Sequence, residues 1–180
     1  MFERAKAIGK KLLVQRLIDG ASGNMSFRVG DEFYITKTGV MLDEVDENSF
    51  VKIKIFSEEY DRRASSDQLI HREVYKNSNH KAVLHCHGVY AVVLSFLRNS
   101  IIPMDLEGRH FLGEVKIVIA PYSTLKGAKV IAESLKKSKA VLVRGHGIYC
   151  AGEDLDEAYR LASYLEHSCE LIYKLYSRKY

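Results

Sequence analysis

The chain has no tryptophan, two prolines and three cysteines, and each scarcity excludes something. Cys86, Cys150 and Cys169 are odd in number and widely spaced, so they form no disulfide framework; free thiols and a reducing, cytoplasmic location are expected. Only Pro103 and Pro121 break the backbone pattern, and there is no repeat or Ser/Gly-rich tract, so residues 1–180 read as a single domain. No run approaches the roughly eighteen consecutive apolar residues of a membrane span. The segment Met1 to Lys11 is charged and helical in pattern rather than signal-like. A net charge of +4 without aromatic and basic interleaving argues against a nucleic-acid partner. The densest basic run, Lys136-Lys137-Ser138-Lys139, falls late in an expected helix, where it faces the negative end of the helix dipole or solvent.

What remains is a chain of 180 residues, 47% hydrophobic and 28% charged, long enough to bury a core without cross-links. Apolar periodicity predicts a helix from about Glu3 to Ile18, stopped by Asp19-Gly20. A hairpin follows, Asn24 to Val29 and Glu32 to Thr36 around Gly30-Asp31, then a strand from Phe50 to Ile55. Further on come a helix over Asp67 to Lys76, a strand over Ala82 to His87 and a helix over Val89 to Leu97. Strand Val115 to Ile119, helix Thr124 to Lys137, and strands Ala140 to Val143 and Ile148 to Cys150 complete the alternation. The last helix starts at Asp154 with Glu157 three residues on, and its stripe Ala158, Leu161, Ala162, Leu165, Cys169, Ile172 and Leu175 is set to pack on a sheet. The fold class is an α/β sandwich.

Histidine carries the chemistry. His85 and His87 are two apart on one strand, so both project from one face while Cys86 points to the other. His146 lies between Gly145 and Gly147 at a strand end, on a tight turn. Three imidazoles with a coordination position left open match catalytic rather than structural zinc; His-x-His on a strand, taken alone, is more often an ordinary polar pair than a metal site. Ser65 and Ser66 precede a helix opening at Asp67, which serves either as a plain helix cap or as an anion site using the free N–H groups of the first turn. Ala21 to Ser26 and Thr36 to Gly39 read as turns or as further anion donors. His71 reads as a packed or solvated residue, and His80, His110 and His167 as surface or subunit-contact residues.

Taken in order, Gly23-Asn24-Met25-Ser26, Thr36-Lys37-Thr38-Gly39, Ser65-Ser66-Asp67, His85-Cys86-His87 and His146-Gly147 resemble the motif series of the class II aldolase/adducin family over most of the chain. The resemblance implies one domain with a central, mostly antiparallel sheet flanked by helices. It implies Zn2+ held by His85, His87 and His146, and a phosphate held by Asn24, Ser26, Thr38, Gly39, Ser65 and Ser66. It also implies a homotetramer with sites between subunits and a small phosphorylated sugar as partner. The expected reaction is reversible retro-aldol cleavage of a ketose phosphate such as L-fuculose 1-phosphate to dihydroxyacetone phosphate and an aldehyde.

Asp67 departs from the family's aldolases, which carry at that place a glutamate that contacts the metal and then serves as base. The L-ribulose-5-phosphate 4-epimerase branch has an aspartate there as a metal ligand, so Asp67 is assigned as catalytic residue and as metal ligand. The alternatives are an epimerase, a sugar-phosphate dehydratase and a non-enzymatic adducin-like scaffold. Relatives draw a proton donor from a C-terminal tyrosine, for which Tyr173, Tyr176 and Tyr180 are candidates, or from the region matching Glu107, Arg109 and His110.

Overall fold

The computed structural model describes residues 1–177. Among these residues eight strands form one sheet in the order β3-β2-β1-β4-β8-β7-β6-β5, and six α-helices cover its two faces. The strands are β1 (Asn24–Val29), β2 (Glu32–Thr36), β3 (Phe50–Lys54), β4 (Ala82–Cys86), β5 (Ser100–Ile101), β6 (Val115–Val118), β7 (Ala140–Val143) and β8 (Gly147–Gly152). The helices are α1 (Phe2–Val14), α2 (Gln68–Asn77), α3 (Val89–Leu97), α4 (Leu106–Phe111), α5 (Leu125–Lys137) and α6 (Leu155–Ser177). Every strand pair is antiparallel except β6 with β7, which agrees with the mostly antiparallel sandwich expected from the sequence.

Period-two alternation sorts the sheet's side chains between two cores. Met25, Phe27, Leu84, Cys86, Leu142, Ile148 and Cys150 face α1, α3 and α6. Phe33, Ile35, Val83, Val141, Val143, Tyr149 and Ala151 face α2 and α5. All three cysteines are buried and free. The α6 stripe packs as its periodicity requires up to Ile172, whereas Leu175 is exposed.

The hairpin pairs Val29 with Glu32 across Gly30-Asp31, with Gly30 at φ 61°, a left-handed conformation natural to glycine. The first helix ends earlier than its apolar pattern predicts. Arg16 adopts φ 57°, the Leu17 N–H donates to the Leu12 carbonyl and the Arg16 N–H to that of Leu13, a Schellman closure with arginine where glycine is usual. β5, α4 and a 3-10 turn at Glu47–Ser49 are too short to leave a periodic signal. No helix among the described residues is long and apolar enough to cross a membrane.

Helix α1 is seated on the loop after β2 through Gly9. A Cβ there would lie 1.8 Å from the Leu42 carbonyl oxygen and 2.7 Å from the Asp43 nitrogen, both backbone atoms that cannot swing aside. Alanine in place of a mid-helix glycine ordinarily stabilises by about 1 kcal/mol, but here the clash decides the sign. Gly9→Ala is expected to destabilise the protein by about 1–3 kcal/mol, read as a lowered urea midpoint; an unchanged or raised midpoint would contradict this packing.

Candidate metal centre and anion cradle

Strand β4 is the spine of the site. Its register places Asn24 of β1 opposite His85 and His85 opposite Tyr149 of β8, so these three stand in a row on the face covered by α2 and α5. The His85 ring stacks on Tyr149 at 4.0 Å and 10°. Its Nδ1 lies 2.9 Å from the Ile148 carbonyl oxygen; that oxygen only accepts, so Nδ1 carries the proton and Nε2 presents a lone pair.

His87 follows the end of β4, and its backbone N–H donates to the Leu17 carbonyl at 2.7 Å. The next residue, Gly88, opens α3, whose first N–H groups at Tyr90 and Ala91 donate to the Glu166 carboxylate at 2.8 and 2.9 Å. This carboxylate caps the helix from a distant element, fixing the path of the chain on both sides of the His87 ring. His146 sits in the turn between β7 and β8, with its N–H on the Val143 carbonyl and Gly145 at φ 68°. Gly147 leaves room for the rings: a Cβ there would be 2.4 Å from the Cys86 carbonyl oxygen, 2.8 Å from His87 Cδ2 and 3.1 Å from His85 Cε1.

The three rings converge on their Nε2 atoms, His87 to His85 at 2.8 Å and His85 to His146 at 3.2 Å, forming a group able to hold a metal ion. Donors of a tetrahedral zinc site stand roughly 3.3 Å apart for bonds of about 2.0–2.1 Å. Lone pairs turned toward one another repel unless a proton or cation lies between them, and burial pushes the other way from protonation. Burial drives the His85 pKa down to about 3 and also lowers those of His87 and His146.

Asp67 stands beside this trio, its Oδ2 4.0 Å from His85 Nε2. It occupies the N-cap position of α2, but its side chain makes no capping hydrogen bond; the local contact at this helix end is the Ser65 hydroxyl, which accepts from the Asp67 N–H at 3.3 Å. The carboxylate turns inward instead and accepts from Asn24 Nδ2 and from the Tyr149 hydroxyl, each at 2.8 Å on Oδ2. Burial opposes its charge, and the Asn24 and Tyr149 hydrogen bonds act against that burial in holding the carboxyl below its ordinary pKa. Its Oδ1 is buried without a partner. An orphaned anionic oxygen beside three convergent imidazoles suits a divalent cation.

A polar cavity of about 190 Å³ opens above these groups, lined by Ser22, Gly23, Asn24, Lys37, Thr38, Gly39, Ser65, Ser66, Asp67, His85, His87, Tyr122 and His146. Every residue assigned from the sequence to the metal, to catalysis or to the phosphate lines it except Ser26. Ser26 is fully buried and spends its hydroxyl on His71 Nδ1 at 2.6 Å and the Tyr75 hydroxyl at 2.7 Å. It alternates with Met25 on β1 and points beneath the cavity toward α2, so it does not reach an anion there. Thr38 and Ser65 are tied to the same wall, Thr38 N–H to the Arg63 carbonyl and Ser65 N–H to the Thr36 carbonyl, each at 3.0 Å.

Three contributors escape a reading of the sequence. Tyr149 looks like core in an apolar strand, and only the pairing with β4 shows its hydroxyl on Asp67. Lys37 lies inside the motif Thr36 to Gly39, but only its place in the loop after β2 shows that it lines the cavity. Tyr122 lies at the cavity rim with its hydroxyl 2.9 Å from Ser66 Oγ and its ring 5.9 Å from that of His146; the following residue, Ser123, takes φ 53°, a strained turn that a sequence does not announce. Conversely, Glu107 and His167 line a separate cavity with Gln15, Tyr164 and Glu166, and His110 is exposed. His80 is half-buried against the Leu135 carbonyl at 3.0 Å. Tyr173 packs on Tyr90 and Tyr176 lies against Arg98, neither in the cavity of this chain, and Tyr180 lies outside the described residues.

The family described as Class II Aldolase and Adducin N-terminal domain matches residues 3–173. The chain belongs to this family. It is 28% identical over 166 residues to the L-fuculose phosphate aldolase of Methanocaldococcus jannaschii, covering 91% of each chain, and 31% identical to that of Haemophilus influenzae, covering 89% of this chain and 76% of the other. The crystal structure of L-fuculose-1-phosphate aldolase from Thermus thermophilus superposes with a TM-score of 0.92 at 34% identity, covering 98% of this chain and 93% of that one. Family membership and these relatives make the protein a lyase of the aldolase class.

Two outcomes follow from the geometry. Gly147→Ala should lower metal affinity at least about tenfold, as displaced ligand shells do, measured by competition against a chromophoric chelator; wild-type affinity would contradict the crowding argument. Metal-free protein should lose stability as pH falls below about 6.5, the ordinary histidine value. His71 and His85, held by burial at about 4 and about 3, bind protons in the unfolded chain over that range and not in the folded one. The slope is about 1.4 kcal/mol per pH unit for each such proton, read from urea midpoints between pH 7 and pH 4; a flat profile would contradict it.

Proposed function

We propose that the protein is a zinc-dependent aldolase acting on a ketose phosphate such as L-fuculose 1-phosphate, releasing dihydroxyacetone phosphate and an aldehyde. In this reading residues 1–180 form one class II aldolase-like domain of a cytoplasmic homotetramer, with no nucleic-acid or membrane partner. The observation that supports it above all is the convergence of three imidazole Nε2 atoms beside an unpartnered carboxylate oxygen in a cavity whose other wall is rich in hydroxyl and N–H donors.

His85, His87 and His146 would hold the ion, with Asp67 alongside as a further ligand or as the proton-exchanging base. When bound, zinc supplies Lewis acidity that polarises a substrate carbonyl. The chain's own residues do the rest. Thr38, Gly39, Ser65, Ser66 and the Asn24 amide would bind the phosphate, at a cavity onto which the N-terminus of α2 opens with its positive dipole end. Remote binding energy at the phosphate then orients the carbons beside Asp67. Asp67, held by Asn24 and Tyr149 with Oδ1 unpartnered, would exchange a proton with the substrate.

Asp67 also favours a second reading. Aspartate at this position is what the epimerase branch carries, and it is one methylene shorter than the aldolase glutamate. A dehydratase shares the same machinery. An adducin-like scaffold has no use for three histidines converging on one point, one of them buried and tautomer-fixed, and the trio argues against it.

The test is release of dihydroxyacetone phosphate from L-fuculose 1-phosphate by zinc-loaded protein. Release should be lost on chelation and in His85→Ala, while the variant remains folded. If folded, zinc-replete protein releases none but interconverts L-ribulose 5-phosphate and its 4-epimer, the aldolase reading fails in favour of the epimerase.

A further inference from the structure

Beneath the cavity five side chains form one unbroken hydrogen-bonded chain. Asp67 Oδ2 meets Asn24 Nδ2 at 2.8 Å, Asn24 Oδ1 meets His71 Nε2 at 2.7 Å, His71 Nδ1 meets Ser26 Oγ at 2.6 Å, and Ser26 Oγ meets the Tyr75 hydroxyl at 2.7 Å. All five residues are buried, with His71 and Ser26 fully so. His71 does not line that cavity and is not part of the histidine trio.

The direction of every bond in this chain is fixed from one end. An ionised carboxylate only accepts, so Asn24 must turn its NH2 toward Asp67 and its carbonyl toward His71. That carbonyl also only accepts, so His71 carries its proton on Nε2. Nδ1 is then a lone pair and must receive the Ser26 hydroxyl proton, which leaves Ser26 to accept from Tyr75. The opposite polarity would place the Asn24 carbonyl 2.8 Å from a carboxylate oxygen, acceptor against acceptor. Buried polar groups satisfied throughout in one sense make a rigid unit.

We infer that His71 is a positioning residue: as the Nε2–H tautomer it holds the Asn24 carbonyl, keeping the amide in the orientation the Asp67 carboxylate selects, so that its N–H groups and not its carbonyl are offered to the cavity. Asn24 lines that cavity, and one N–H of its amide remains after the bond to Asp67. The locked amide is therefore a donor, suited to an anionic group such as a phosphate. A carbonyl in its place would repel it. Ser26, expected at the anion, acts one step further back, orienting the residue that orients Asn24. The anion part of this inference rests on the proposed phosphate site, and the tautomer part does not.

Two measurements on zinc-loaded, full-length protein test it. In 15N NMR, the His71 ring, assigned by its disappearance in His71→Gln, should show a protonated Nε2 and an unprotonated Nδ1 near neutral pH; an Nδ1–H or doubly protonated ring would overturn the assignment. In titrations with inorganic phosphate, His71→Leu should bind about tenfold more weakly or worse with zinc stoichiometry kept. His71→Gln, whose amide can still donate to Asn24, should recover most of the affinity. Wild-type affinity in His71→Leu, or equal losses in both variants, would contradict positioning through a donated proton. Wild-type protein that binds no phosphate would sink the proposed anion site, and the tautomer would still judge the lock by itself, as it would if the leucine variant failed to fold.

Discussion

The site depends on one register. With β4 between β1 and β8, Asn24, His85 and Tyr149 stand abreast, and Asp67 bridges the outer two through its Oδ2. A slip of one residue in either pairing would turn a whole strand's side chains to the opposite face. Asn24 or Tyr149 would then enter the core against α1 and α6, and an apolar neighbour would stand where the carboxylate needs a donor. The same register sends Met25, Leu84, Cys86, Ile148 and Cys150 into the opposite core, so hydrophobic burial on one face holds polar alignment on the other.

Burial does more than hold the residues in place. Burial disfavours protonation of the three converging imidazoles, which keeps nitrogen lone pairs free to coordinate, while the Ile148 carbonyl selects which nitrogen of His85 offers one. The carboxylate is kept charged by the donors around it, against its own burial. A neutral donor trio next to a fixed anion is costly to assemble in a low-dielectric interior and becomes favourable when a cation joins it. Glycines enter where side chains would block this assembly. Gly147 clears the rings and Gly23 lets β1 approach the His85 carbonyl, 2.8 Å from where a Cβ would stand.

Much of this was legible in the sequence, and the limits are physical. The hairpin around Gly30-Asp31, helix Val89–Leu97 and strand Ala140–Val143 follow from turn chemistry and periodicity, both local. The split of His85 and His87 from Cys86 follows from strand alternation. Strand order is non-local: nothing near β4 says that β8, some sixty residues later, pairs with it, so Tyr149 reads as core. Ser26 shows the converse limit. Alternation puts it on the face that carries Asn24, but depth within that face is set by α2 packing over it, and that depth separates a cavity residue from a buried relay. Asp67 stands at the N-cap position of α2, yet its side chain takes other partners, because a buried carboxylate beside two donors gains more there than at a helix end.

The account centres on the histidine trio as one mononuclear metal site with a position open for substrate. X-ray absorption at the zinc edge tests this most directly. Zinc-loaded protein should show one equivalent of metal bound by three imidazole nitrogens at about 2.0–2.1 Å with oxygen completing the shell. Sulfur ligation, fewer imidazoles, or loss of zinc to a weak chelator from folded protein would contradict it.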